Sequence, residues 1–316
     1  MPGTEDPPRL YIGESAKGRC AFFTLPDGAR LRYAVIEPRE TPRGTFLIAP
    51  GRREFIEKKY AETGPELLAR NFRLIFFDWR GQGFSSRFLP GARYQRDHIA
   101  DFDVYLNDLR AFYEGAIRPQ VAGPLFVLGH SMGGFNILRW LAETQPPVKA
   151  AVLTAPMLAL ALPAFAGKIC ALAIKLGFGA RYAPWQHDYD QGDMRFAGNV
   201  LSQDPLRFGI MEKYFTAHPE MKVGGVTWQW LDAALRAIEA ARQPGYLANI
   251  AAPTLVLAGD KDIVTPPARF RDSLKGLPMI EDHIIGGACH DLLNELEFYR
   301  KQAWERIDRF IGRIGA

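Results

Sequence analysis

The 316-residue sequence predicts an α/β fold, a mostly parallel central sheet flanked by helices, and three observations carry that prediction. Short apolar runs, "TFLIAP", "RLIFFDW", "PLFVLGH" and "KAAVLTAP", follow one another with longer stretches of helical character between them. Strands buried on both faces read as continuous apolar runs, and their alternation with helices is the pattern of βαβ units. The rhythm returns towards the C-terminus with "APTLVLAGD" and "DHIIGG", and 47% hydrophobic residues suffice for the core of a domain this large.

In chain order, residues 1–20 read as a Pro- and Gly-containing leader, expected to be poorly ordered. The opening "MPGTEDPPRL" has acidic residues and prolines where an export signal needs a basic start and an apolar run, so a cytoplasmic location is expected. Next, "AFFTL" and "ARLRYAVIEP" flank "PDG", which predicts a β-hairpin. Between the second and third apolar runs, Ile99, Phe102, Tyr105, Leu106, Leu109, Phe112 and Tyr113 recur at helical spacing and give one apolar face. Ala150 to Gly167 contains eighteen uncharged residues, the lower edge of a membrane-spanning length. Pro156 and Pro163 interrupt it, and "AAVLT" reads instead as a buried strand.

After Pro156 the alternation stops for roughly ninety residues, which predicts an insertion. The expected division is a core in two parts, 1–156 and 247–316, with a mainly helical cap over 157–246. Phe165, Ile169, Leu172 and Leu176 form one helical stripe there, and Cys170 and Ile174 make the opposite side apolar. A helix apolar on most sides is expected to be buried; a lipid-facing or acyl-binding surface is the alternative. Asp291 to Ile314 reads as a closing helix.

A net charge of +4 without a lysine-arginine block argues against nucleic acid as a partner. Contact with an anionic membrane surface is compatible with it. Cys20, Cys170 and Cys289 are odd in number and widely spaced, which argues against a disulfide framework. No metal, nucleotide or flavin spacing is present, so no cofactor is expected.

Chemistry enters with Gly129-His130-Ser131-Met132-Gly133, a G-x-S-x-G pattern. Alone it is weak, since a chain this long shows it by chance roughly one time in ten. Here "PLFVL" before it and "FNILRWLAE" after it supply the strand and helix that a nucleophile elbow joins. A serine hydroxyl needs a base, and the base needs an acid to hold its tautomer. After the insertion, "VLAGDKDIVTPP" puts Asp260 and Asp262 just past a strand, and "IIGGACHDLLNE" puts His290 just past the next. Both loops open at the carboxyl edge of the sheet, where ligands bind in such folds.

His290 is therefore the expected base and Asp262 the favoured acid; Asp260 is the alternative acid, but it stands nearer the strand end, where it can instead hold the loop through backbone hydrogen bonds. His98, His187 and His218 are assigned ordinary surface roles, His283 falls in the last strand, and His130 is expected to be packed. Cys289 reads as a small packing residue. The oxyanion requires two backbone donors: the N–H of Met132 and one from the loop "IAPGRREFIEKKYAE", where Gly51 and Arg52 are within reach. Arg53, Lys58 and Lys59 read as solvated helix charges, with attraction of a phosphate head group as the alternative.

The blocks "PGRREFIEKKYAE", "FFDWRGQGFSSR", "LGHSMGG", "LTAPML", "VGGVTWQWL" and "GGACHDLLNE" stand in an order that resembles the α/β-hydrolase fold serine hydrolases grouped with monoacylglycerol lipases and, more closely, bacterial lysophospholipases. The resemblance implies Ser131, Asp262 and His290 as the triad, Arg52 and Met132 as oxyanion donors through their backbone, and the insertion as a cap over an acyl pocket. Monoacylglycerol lipases usually have His-Gly where this chain has Pro50-Gly51, as the lysophospholipase branch does. The implied activity is hydrolysis of a single-acyl-chain lipid ester through an acyl-enzyme. Alternatives are a small-ester carboxylesterase, an aminopeptidase-type amidase using Asp188, Asp190, Asp193, Asp204 or Glu212 to hold an ammonium group, and a non-catalytic binding module on the same fold.

Overall fold

A computed structural model describes residues 10–12 and 18–315. The hairpin forms as expected: β1 (Gly18–Thr24) pairs antiparallel with β2 (Arg30–Ile36). Gly28 takes φ 86° in the turn between them and donates its N–H to the Leu25 carbonyl. Gly18–Cys20 thus belong to a strand rather than to a disordered leader; the rest of that expectation falls largely outside the described residues.

Six further strands complete one sheet: β3 (Thr45–Ala49), β4 (Arg73–Phe77), β5 (Leu125–His130), β6 (Ala150–Thr154), β7 (Thr254–Gly259) and β8 (Ile280–Ile285). The order is β1-β2-β4-β3-β5-β6-β7-β8, antiparallel at the first two junctions and parallel at the rest. The period of two divides the core. Phe46 and Ile48 of β3 and Phe126 and Leu128 of β5 face one layer with Leu67, Trp304 and Ile307. Leu47 and Ala49, with Leu125 and Val127, face the other with Phe102, Leu109, Phe135 and Leu138.

Helices α1 (Ile56–Ala69), α2 (Asp103–Phe112) and α3 (Ser131–Thr144) are the crossover helices of the first half. The residues predicted to form one apolar face around α2, Ile99 to Tyr113, are all buried. Between β6 and β7 lie α4 (Ala166–Lys175), α5 (Pro205–Phe208), α6 (Ile210–Ala217) and α7 (Trp228–Ala241). Trp230, Ala233, Ala234 and Ile238 of α7 join the same core as α2 and α3, which roots the excursion on the sheet.

Two further expectations need correction. On α4 only Cys170 and Ala173 are buried; Phe165, Ile169, Leu172 and Leu176 are between 46% and 61% exposed. The stripe faces outward because α4 packs on α7 through its smaller residues. The closing helix α8 runs Glu297–Ile314, not from Asp291. Asp291 and Glu295 are drawn into buried polar contacts, so residues 291–296 form a loop with a single 3-10 turn. No helix among the described residues is long and apolar enough to cross a membrane.

Candidate active site

The turn from β5 into α3 is sterically determined. His130 is extended, whereas Ser131 takes φ 49°, a left-handed conformation costly to any residue with a Cβ. Two neighbours have no room for a side chain. A Cβ on Gly133 would lie 2.3 Å from the Pro50 carbonyl oxygen, and one on Gly129 would lie 2.8 Å from the Gly134 Cα. The tight approach puts the Ser131 hydroxyl at the carboxyl edge of the sheet, in a cavity of about 520 Å³.

The loops after β7 and β8 deliver Asp262 and His290 to the same place. His290 Nε2 lies 3.0 Å from Ser131 Oγ, and its Nδ1 lies 2.8 Å from Asp262 Oδ2. Asp262 Oδ1 accepts the N–H groups of Val264 and Thr265 at 2.8 and 2.9 Å, and the Thr265 hydroxyl donates to Oδ2 at 2.8 Å. Burial opposes ionisation of Asp262, but the bond to His290 and those from Thr265 outweigh it and bring its pKa down to about 2. The acid is thus charged, and all three residues are buried. Asp260 accepts the Gly287 N–H at 2.6 Å and ties the two loops together.

Arg52 and Met132 line the cavity beside Ser131. The Arg52 guanidinium donates to the Gly224 carbonyl at 3.0 Å and lies 3.5 Å from Asp97, so its side chain faces the inserted segment. Glu54 steadies the preceding residue by accepting the Gly51 N–H at 2.5 Å.

Glu54 also belongs to a buried charge cluster that corrects the reading of the α1 charges. Lys58 and Lys59 are not solvated. Lys58 Nζ lies 2.7 Å from Glu54 and 2.9 Å from Asp291, and also bonds Glu62; Lys59 Nζ lies 2.9 Å from Glu54 and 2.6 Å from Glu62. Burial disfavours both ammonium ions, but the carboxylates overcompensate and raise their pKa values. Glu54, His130 and Asp291 offer three ligand atoms within 4.8 Å of one another, yet the lysines already supply the cations there.

His130 is buried as expected, 3.1 Å from the Thr154 hydroxyl and with its ring centroid 4.9 Å from that of His290. Burial, with Lys59 nearby, lowers its pKa to about 3, so it stays neutral. His187 is exposed. His98 and His218 depart from the surface role: His98 is half-buried 3.1 Å from the Thr227 hydroxyl, and His218 packs against Tyr11, the ring centroids 4.0 Å apart and the planes tilted by 37°. His283 meets Glu281 within β8 at 2.6 Å. Burial, with Glu295 beside it, pushes the Cys289 thiol up to about 11, which favours the protonated form over the nucleophilic thiolate.

Most acidic residues considered for an ammonium site have other partners. Asp188 accepts from Tyr182, Asp190 from the Gly192 N–H at 2.5 Å, and Asp204 caps α5 and pairs with Arg207 at 2.9 Å. Asp193 lines the cavity and contacts Arg53.

Sequence reasoning missed Thr265, Glu54 and Asp291. Thr265 stands three residues after Asp262 and Glu54 three after Gly51, the spacing of side-chain-to-backbone turns, and that signal was available. Asp291 had no comparable local signal, because its partner Lys58 is 233 positions away.

Sheet topology, elbow and buried serine–histidine–aspartate contacts define an α/β hydrolase. The family described as serine aminopeptidase, S33, matches residues 40–297, and the chain belongs to that family. It is 29% identical over 308 residues to lysophospholipase L2 of Escherichia coli strain K12, covering 93% of this chain and 87% of that protein. It is 26% identical over 279 residues to the probable lysophospholipase L2 of Haemophilus influenzae, covering 88% and 86%. Among solved structures, a soluble variant of monoglyceride lipase from Saccharomyces cerevisiae in complex with a substrate analog superposes with a TM-score of 0.72 at 18% identity, covering 98% of this chain and 100% of that one.

Proposed function

We propose that this chain is a serine hydrolase that cleaves the carboxylic ester of a lipid with one acyl chain, a lysophospholipid or a monoacylglycerol. The observation that carries the reading is the buried Asp262–His290–Ser131 relay opening into a cavity walled by Leu160, Leu162, Val200, Leu201, Phe208 and Met211. Such a wall accepts an acyl chain and excludes water from the reacting ester. The names of the two bacterial relatives, lysophospholipase L2 and probable lysophospholipase L2, point to the first of these substrates.

Ser131 Oγ attacks the ester carbonyl while His290 Nε2 takes its proton, and Asp262 stabilises the imidazolium that forms. The backbone N–H groups of Arg52 and Met132 hold the oxyanion. Collapse of the tetrahedral intermediate expels the alcohol, protonated by His290, and leaves Ser131 acylated. Water, deprotonated by His290, then attacks the acyl-enzyme and releases the fatty acid and the free serine.

The segment 157–246 acts as the cap, and its outward apolar stripe on α4 gives it a surface for lipid aggregates. Phe165, Ile169, Leu172 and Leu176 are exposed on a helix that carries Lys168 and Lys175, the composition of an interfacial helix.

Hydrolysis of lysophospholipid, monoacylglycerol and short p-nitrophenyl esters by wild type and Ser131→Ala tests the proposal. Long-chain lipids are the expected substrates, with all activity lost in the variant. Activity confined to the shortest acyl chains, or release of an aminoacyl fluorophore in preference to any ester, would overturn it.

A further inference from the structure

Arg53 follows Arg52 in the wall of the cavity that holds Ser131 and His290. Its backbone is fixed in the left-handed region at φ 64° and donates its N–H to Gln82 Oε1 at 2.7 Å. The side chain lies over the Tyr189 ring, 5.4 Å from its centroid. Nη2 donates to Asp193 at 3.2 Å, and Nε is buried with no hydrogen-bond acceptor among the described residues.

Other buried cations here are treated differently. Arg32 forms a two-point bond to Glu57 at 2.8 and 2.9 Å and a third to Asp78 at 2.8 Å. Lys58 and Lys59 share three carboxylates. Among the described residues Arg53 has a single carboxylate partner, at longer range, and burial together with Arg52 holds its pKa below the usual arginine value. A partly buried guanidinium, its side chain 20% exposed in the cavity wall and part of its donor fork unused, favours a planar or tetrahedral oxyanion that takes two donors at once.

We propose that Arg53 is the head-group residue of this cavity and binds the phosphodiester of a lysophospholipid, with Asp193 holding its place until the phosphate arrives. The assignment rests on the ester-hydrolase reading above and narrows it to a phosphorylated glycerolipid. In such a lipid one glycerol unit joins ester to phosphate, and adjacent residues here address the two groups: the Arg52 backbone the ester oxyanion, the Arg53 side chain the phosphate. A monoacylglycerol has no anion for Arg53.

The test compares kcat/KM for 1-myristoyl lysophosphatidylglycerol and 1-monomyristoylglycerol, in mixed micelles of fixed composition, for wild type, R53Q, R53K and D193N. R53Q is expected to lower kcat/KM for the lysophospholipid at least tenfold more than for the monoacylglycerol, chiefly through KM. R53K, which keeps the charge without the fork, restores part of the preference, and D193N shifts it towards the lysophospholipid. Equal losses on both substrates would assign Arg53 to bracing the oxyanion loop and overturn the proposal, as would an unchanged ratio in R53Q and D193N. Wild type that cleaves p-nitrophenyl acetate but neither lipid would remove the lipid-ester reading itself. Cleavage of both lipids with no change in ratio removes the head-group assignment alone.

Discussion

His290 Nε2 and Ser131 Oγ lie 3.0 Å apart although 159 positions separate the two residues along the chain. The contact is the proton path of the proposed mechanism, so Ser131→Ala should stop it while leaving the fold intact. We expect kcat to fall by about 10⁴- to 10⁶-fold and labelling by a fluorophosphonate probe to vanish. Undiminished labelling of the variant would place the nucleophile elsewhere.

Stability at the same position should run against helix propensity. At ordinary helical sites alanine is better than glycine by about 1 kcal/mol. Ser131 has φ 49°, so Ser131→Gly should be more stable than Ser131→Ala by about 1 kcal/mol in urea unfolding. The opposite ranking would mean that the elbow is unstrained.

Asp262 links charge to stability. Its folded pKa of about 2 lies below the ordinary value near 3.8, so the unfolded chain binds more protons between those values and stability rises with pH across them. The contribution, on the order of 2 kcal/mol, is complete above about pH 5 and fades as pH falls towards 2. Asp262→Asn should lack that slope and lose roughly 10⁴-fold in kcat. Chemical denaturation of both proteins from pH 3 to 7 reads the difference, and parallel curves would contradict it.

Lys58→Met would leave Glu54, Glu62 and Asp291 sharing one ammonium ion in a buried site. Breaking such a group costs about 3–5 kcal/mol. Adding Asp291→Asn should recover part of the loss, because the second change removes one uncompensated charge. A double mutant no more stable than Lys58→Met, measured by urea unfolding, would show that the cluster does not act as a unit.

On α4, Leu172→Glu adds charge to an exposed apolar stripe without touching the cavity. Sedimentation with anionic phospholipid vesicles should fall several-fold, while hydrolysis of a soluble short-chain ester stays within about twofold. Equal vesicle binding by variant and wild type would remove the lipid-surface role of this helix.

Much of this arrangement was legible in the sequence because it depends on local rules. The strands announce themselves as apolar runs, the elbow by its glycines, and the proton-path residues by falling just past successive strands. The α4 stripe shows why legibility stops: periodicity reveals an apolar face but not the medium it meets, and α7 took the Cys170–Ala173 side. Lys58 and Lys59 fail for a different reason. Their carboxylate partners lie partly on the same helix, where "EFIEKKYAE" looks like a solvated surface, and residues distant in sequence, Asp291 and His130 among them, close the site into the interior.

The inserted segment leaves and rejoins the sheet at neighbouring strands: Thr154 of β6 pairs with Leu257 of β7, and the Ala155 N–H bonds to the Leu257 carbonyl. The floor therefore closes beneath the excursion whatever the excursion contains, provided the α7 footing is retained. The cavity is thus lined from both sides: Arg53, Ser131 and His290 belong to the floor, and Leu160, Leu162, Phe208 and Met211 to the excursion.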